Sequence, residues 1–234
     1  MINNKKITAM IPARIGSTRL KKKNLALINN EPLISYCIKS AIKSKIFDNI
    51  VINSDSNIFN KIAKQHDIEF YLRPKKLGGS RIKSDDVVYD FMNKYESDIT
   101  VWVNPISPLQ ESNEIRKVIK YFIKQNYNSL MTTNTKQVHA FYNNKSLNFK
   151  TNSKFAQTQH LKPIDLMVYS LMMWQNKSYI SSMKKNKHAF LHGKLGYYNV
   201  SNLSGIIVKN IEDLKLVEMI INSKKIKSKI KYYK

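Results

Sequence analysis

The chain has 234 residues, 42% of them hydrophobic, and carries 40 Lys and Arg against 16 Asp and Glu for a formal charge of +24. That supplies enough apolar side chain for a substantial core. It contains neither a run of about eighteen apolar residues, as a membrane span needs, nor a secretory leader at its start, so a cytoplasmic location is expected. A single cysteine, Cys37, excludes an internal disulfide framework. Its neighbours at helical spacing, Leu33, Ile34, Ile38, Ala41 and Ile42, place it on a core-facing stripe.

In chain order, apolar runs predict strands near 6–12, 49–54, 68–72, 98–104 and 129–134, and helical patterns near 32–45, 56–66, 84–94, 111–125 and 210–223. This alternation predicts one α/β domain over 1–234, with a mostly parallel sheet covered by helices on both faces. Between about 136 and 175 the rhythm breaks into short Asn- and Lys-rich segments and the Met-rich stretch Met167–Trp174. In such sheets ligands sit beyond the carboxyl ends of the strands. Arg14, Asp55, Arg73 and Asn104 fall at or just past those ends.

The first strand, with Ile7, Ala9, Met10 and Ile11, closes at Pro12, and the loop behind it delivers Arg14, Arg19, Lys21, Lys22 and Lys23 around Gly16, Ser17 and Thr18. A glycine that lets backbone N–H groups approach, beside hydroxyls and fixed cations, makes a phosphate-holding loop. The remaining basic residues are spread over nearly every predicted helix and loop, which reads as a solvated surface rather than a nucleic-acid footprint. The run Lys224–Lys234 is the one concentrated basic cluster. His66, His139, His160, His188 and His192 show no metal-ligand spacing; His188 and His192 lie in a segment that reads as strand.

The string Ile11–Asn24, IPARIGSTRLKKKN, resembles the first motif of the acylneuraminate (CMP-sialic acid) cytidylyltransferases and their CMP-Kdo synthetase relatives. Asn53-Ser54-Asp55, Leu72-Arg73-Pro74 with Leu77, Asn104-Pro105-Ile106-Ser107-Pro108-Leu109 and Ile211-Glu212-Asp213-Leu214 resemble further family motifs in the family's order. The resemblance implies a Rossmann-like nucleotidyltransferase domain that transfers CMP from CTP to an acidic sugar and releases pyrophosphate. It implies triphosphate contacts from Arg14 and Lys23, in a loop shaped by Ala13, Gly16 and Ser17, and a pyrimidine contact from Asn24. Arg73, Ser84 and Asp55 would complete the nucleotide site, and Asn104 and Ser107 would face the sugar. Plainer readings stay open here: an ordinary turn at Asn104–Pro108 and a helix cap at Asp55. The region 136–175 would be an excursion that pairs with a second subunit, giving a homodimer.

The chain also departs from that family. Counting back from Glu212-Asp213-Leu214, the paired aspartates that hold Mg²⁺ in the family fall on Ile207 and Lys209. No protein metal ligand is therefore expected; Mg²⁺ would arrive with CTP, and Lys209 would supply a catalytic cation of its own. Thr18, Ser80, Asn104 and Gln110 replace further family residues, and Met167-Val168-Tyr169-Ser170 lacks the arginine that meets the sugar carboxylate. His160, Lys162 or Lys136 would have to take its place. A degenerate homologue that binds nucleotide or sugar without catalysis is the alternative, and a basic RNA-binding protein a more distant one.

Overall fold

A computed structural model describes residues 4–79 and 81–223. Ser80 and the basic run 224–234 lie outside the described residues.

In chain order the strands and helices are β1 (Ile7–Ala13), β2 (Leu27–Ile28), β3 (Glu31–Pro32), α1 (Leu33–Ser44), β4 (Asn49–Ser54), α2 (Ile58–Gln65), β5 (Glu69–Leu72), α3 (Ser84–Lys94), β6 (Ile99–Val103), α4 (Ser112–Gln125), β7 (Ser129–Lys136), β8 (Phe141–Tyr142), β9 (Lys145–Ser146), β10 (Ile164–Gln175), α5 (Asn176–Asn186), β11 (Leu195–Asn199) and α6 (Ile211–Ser223). Seven strands form the central sheet in the order β11-β7-β10-β6-β1-β4-β5. β1 pairs in parallel with β4 and β6, β4 with β5, and β7 with β11. β10 alone runs antiparallel, between β6 and β7. The expected mostly parallel α/β architecture is therefore present.

Period-2 alternation along β1 explains the two helical layers. Ile7, Ala9, Ile11 and Ala13 enter the core shared with Ile34, Cys37 and Ile38 of α1, Phe59 and Ile62 of α2, and Ile115, Val118, Ile119 and Phe122 of α4. Met10 points the other way, into a core with Val88 and Phe91 of α3 and Tyr179 and Met183 of α5. A third cluster packs Leu214 and Val217 of α6 on Ile28, Leu33, Leu109 and Val208. Cys37 is buried as expected and burial pushes its thiol pKa up, whereas Ile42 is 41% exposed and does not belong to the core stripe.

Three elements differ from the sequence expectation. Met167–Trp174 belongs to β10 in the middle of the sheet, so the excursion narrows to about 137–163 and holds the small β8–β9 hairpin. β10 lacks an apolar/polar alternation because its second half is buried on both faces, Leu171 to Trp174 all being 3% exposed or less. The segment 188–192 is a turn between α5 and β11, not a strand. Its backbone is tied instead to side chains, with Asp85 Oδ1 accepting from Ala189 N at 2.7 Å and Phe190 N at 2.9 Å.

Candidate functional site

A cleft of about 340 Å³ opens beyond the ends of β1, β5 and β6. Its lining includes Pro12 of β1 with Arg14, Ser17, Thr18, Arg19, Leu20, Lys23 and Asn24 of the loop after it, Arg73, Leu77, Gly79 and Ile82 of the loop after β5 with Ser84 and Val87 of α3, Trp102 of β6 with Asn104, Pro105 and Ile106 after it, and Lys209. Residues spread over nearly the whole sequence converge there because parallel strands deliver their following loops to one edge.

The first loop is braced from behind. Asp55 Oδ1 accepts from Ile15 N at 3.0 Å and lies 3.9 Å from Arg73 Nη2. Arg73, 4% exposed, donates Nη1 to the Asn53 carbonyl at 3.0 Å, and its own N–H to Ser54 O at 2.8 Å. Burial pulls its pKa below the ordinary value, with Asp55 opposing. The guanidinium is thus fixed under the cleft rather than waving over it.

Lys23 opens a short 3₁₀ turn, Lys23–Leu25, after Lys22 in the left-handed region (φ 49°). Its Nζ donates 3.1 Å to the Val208 carbonyl. Desolvation lowers the Lys23 pKa, Arg19 and Arg14 lower it further, Asp213 opposes them, and Lys209 adds to the lowering. A half-buried ammonium crowded by three other cations is a site short of negative charge. Asn24 is 5% exposed and its Oδ1 is buried with no partner, leaving one acceptor unsatisfied in a cleft-lining residue.

Of the residues singled out from sequence, Arg14, Ser17, Lys23, Asn24, Arg73, Ser84, Asn104 and Lys209 line the cleft together. Asn104 also has a structural part, donating Nδ2 to Tyr169 O at 2.7 Å and accepting from Ile106 N at 3.4 Å, which shapes the turn after β6. The others are elsewhere. Ala13 is fully buried in the sheet core. Asp55 stands behind the loop as its brace. Ser107 is fully buried and donates to Ser204 O at 2.8 Å, so it joins two loops instead of facing a sugar. His160 is exposed at the end of the turn Thr158–His160 and lines no part of the cleft. Gly16 does not line it either, has no positive φ, and a Cβ there would meet nothing within 4 Å.

Sequence reading missed the apolar wall that Ile82, Val87 and Trp102 form beside the motif residue Leu77. These residue types read as core, and only the fold turns them toward the cleft. Trp102 Nε1 and Arg73 Nε are also buried there without a partner.

Mg²⁺ held by protein requires hard oxygen ligands. No Asp or Glu lines the cleft among the described residues, and no cluster of His, Cys, Asp and Glu among them could hold a metal. Asp213, four residues beyond Lys209, accepts from Lys209 N at 2.7 Å and Asn210 N at 3.1 Å, while Asn210 Oδ1 accepts from Asp213 N at 2.9 Å. That reciprocal pair caps the start of α6. The lining does not fit a protein-bound magnesium.

A doubly covered, mostly parallel sheet with a basic cleft at its carboxyl edge defines a nucleotide-binding α/β protein of the nucleotidyltransferase kind. The family model for cytidylyltransferases matches residues 8–200, and the chain belongs to that family. It is 30% identical over 118 residues to an N-acylneuraminate cytidylyltransferase of Escherichia coli O18:K1:H7, covering 50% of this chain and 28% of the relative. It therefore spans less than a third of that relative's length. It is 31% identical to the CMP-N,N'-diacetyllegionaminic acid synthase of Legionella pneumophila, over 49% of this chain and 52% of the relative. End to end, it is 26% identical to the post-translational flagellin modification protein B of Campylobacter coli, covering 95% and 98%. Among solved structures, a CMP:2-keto-3-deoxy-manno-octonic acid synthetase complexed with CTP superposes with a TM-score of 0.70 at 13% identity, over 94% of this chain and 99% of that one. That likeness shows the fold.

Proposed function

We propose that this chain transfers CMP from CTP to a hydroxyl of an acidic sugar. The hydroxyl oxygen attacks the α-phosphorus, the bond to the β-phosphate oxygen breaks, pyrophosphate leaves with the electron pair, and the hydroxyl proton passes to solvent. The observation that carries the reading is the convergence of Arg14, Arg19, Lys23, Arg73 and Lys209 on one cleft in a cytidylyltransferase-family fold. Fixed cations aimed at phosphate oxygens stabilise the charge that develops there, in a site whose buried parts raise their effect above that in water. Arg14 and Lys23 take the triphosphate, and Lys209 is a further catalytic cation. The unsatisfied Asn24 Oδ1 accepts from an amino group, such as the one cytosine carries and uracil lacks. The sugar class follows from the relatives' names, N-acylneuraminate and diacetyllegionaminic acid. No step is assigned to Mg²⁺, whose ligands the lining does not provide.

A homodimer forms through the excursion 137–163, whose Phe141, Tyr142 and Phe155 are 60%, 68% and 77% exposed. Large apolar side chains left out in this number mark a contact surface. His160 lies on the same excursion, and its part in sugar binding depends on that pairing.

Pyrophosphate release on mixing the protein with CTP and a panel of acidic sugars tests the reading; release with at least one sugar is expected. Tight CTP binding with no release from any of them supports the second reading, a homologue that binds without catalysis. Ile207 and Lys209 favour that reading, since neither can ligate a metal.

A further inference from the structure

The cleft's donor set is the reverse of a magnesium site. Arg14, Arg19, Lys23, Arg73 and Lys209 line it, and no carboxylate does among the described residues. The two carboxylates behind it are engaged: Asp55 with Ile15 N and Arg73, Asp213 with the backbone N–H groups of Lys209 and Asn210. Lys23 is anchored on the carbonyl of Val208, the residue between Ile207 and Lys209. The ammonium of Lys23 therefore stands at the very segment where a metal-holding version of this site would place its acids. A divalent cation entering there meets the anchored ammonium of Lys23 and the positive charge of Lys209, and no carboxylate oxygen from the described lining.

We propose that the cleft takes its polyphosphate nucleotide as the metal-free anion, Lys209 and Lys23 supplying the positive charge that a divalent cation would otherwise bring. The proposal rests on the reading that the cleft holds CTP. Free CTP carries more negative charge than its magnesium complex and matches the five cations better. Mg²⁺ thus competes with the protein for the triphosphate instead of assisting its binding. Burial, Arg19, Arg14 and Lys209 lower the Lys23 pKa, and an anion entering beside that ammonium relieves the crowding of positive charge.

Calorimetric titration of the full chain with CTP, in EDTA and in saturating Mg²⁺ at matched ionic strength, tests this. The dissociation constant is expected to be about tenfold lower in EDTA, the equivalent of one charge-assisted contact. Lys209→Ala, checked for an unchanged thermal transition, should shrink that difference, and the pair Ile207→Asp with Lys209→Asp should reverse it. Tighter binding in Mg²⁺ by the unaltered protein overturns the proposal and leaves the CTP site intact. Absence of binding under both conditions overturns the proposal together with the reading it rests on.

Discussion

Lys23 Nζ and the Val208 carbonyl, 185 residues apart in sequence, are joined by a 3.1 Å hydrogen bond that ties the first loop to the segment before α6. That bond points the ammonium into the cleft and holds the two halves of the cationic wall at a fixed spacing. Lys23→Ala should weaken CTP binding by about 1.5–3 kcal/mol, roughly ten- to 150-fold, if the ammonium makes a charge-assisted bond to phosphate. A dissociation constant unchanged in calorimetry would remove Lys23 from the site.

Gly78 does not line the cleft, yet it should matter to it. A Cβ built there collides with Asp55 Oδ2 and lies 2.8 Å from Asp55 Cβ. Gly78→Ala must displace the carboxylate that braces Ile15 N and Arg73. We expect a stability loss of about 1–3 kcal/mol, as for other overpacked sites, with weaker CTP binding. Chemical denaturation and a CTP titration on the same variant check this, and wild-type values in both would show that Asp55 is not the brace.

Glu114 in α4 gathers the loop that precedes Lys209. One carboxylate oxygen accepts from Ser201 N at 2.7 Å and the other from Ser204 Oγ and from Gln110 Nε2. Ser204 and Gln110 are 0% and 2% exposed, so neither finds water once the acceptor is gone. Glu114→Ala should destabilise the fold by roughly 1.5–3 kcal/mol. A smaller effect than about 0.5 kcal/mol in urea unfolding would place the clamp elsewhere.

Two histidines give the stability a pH dependence of known sign. Burial lowers the pKa of His192, against a bond between its Nδ1 and Ala189 O, and burial lowers that of His66, with Glu31 opposing. Each depressed value favours the neutral ring in the folded state. The associated stability is fully present above the unfolded value of about 6.5 and is lost as pH falls through the lower folded value. His192 Nε2 lies 2.8 Å from Ser178 Oγ, where a neutral ring accepts and an imidazolium cannot. His192→Gln should flatten the fall of the melting temperature between pH 7 and pH 5, and an unaltered slope would contradict the assignment.

Much of this was legible in sequence because it is local. The five expected strands and five expected helices each carry their own periodicity and stop signals, and the loop from Arg14 to Lys23 announces itself by charge. β10, α5 and β11 were not legible. β10 is a long Met-rich strand buried on both faces at its end and broken in register between Met167 and Met172, α5 is mostly polar, and β11 is only five residues long. The site divides the same way. Arg73 and Asn104 could be placed from strand ends alone, whereas Ser107 and Asp55 differ from cleft residues only in the direction of a side chain. Trp102 and Ile82 are apolar residues that no local pattern separates from core.

The central claim is that the cationic cleft is a CTP site, and parallel titrations with CTP and UTP under identical conditions test it most directly. The account predicts saturable, stoichiometric binding of CTP with UTP binding at least about tenfold weaker, because the buried, unpartnered Asn24 Oδ1 accepts from the cytosine amino group and meets a carbonyl in uracil. Equal affinities for the two nucleotides, or no binding of CTP, would contradict it.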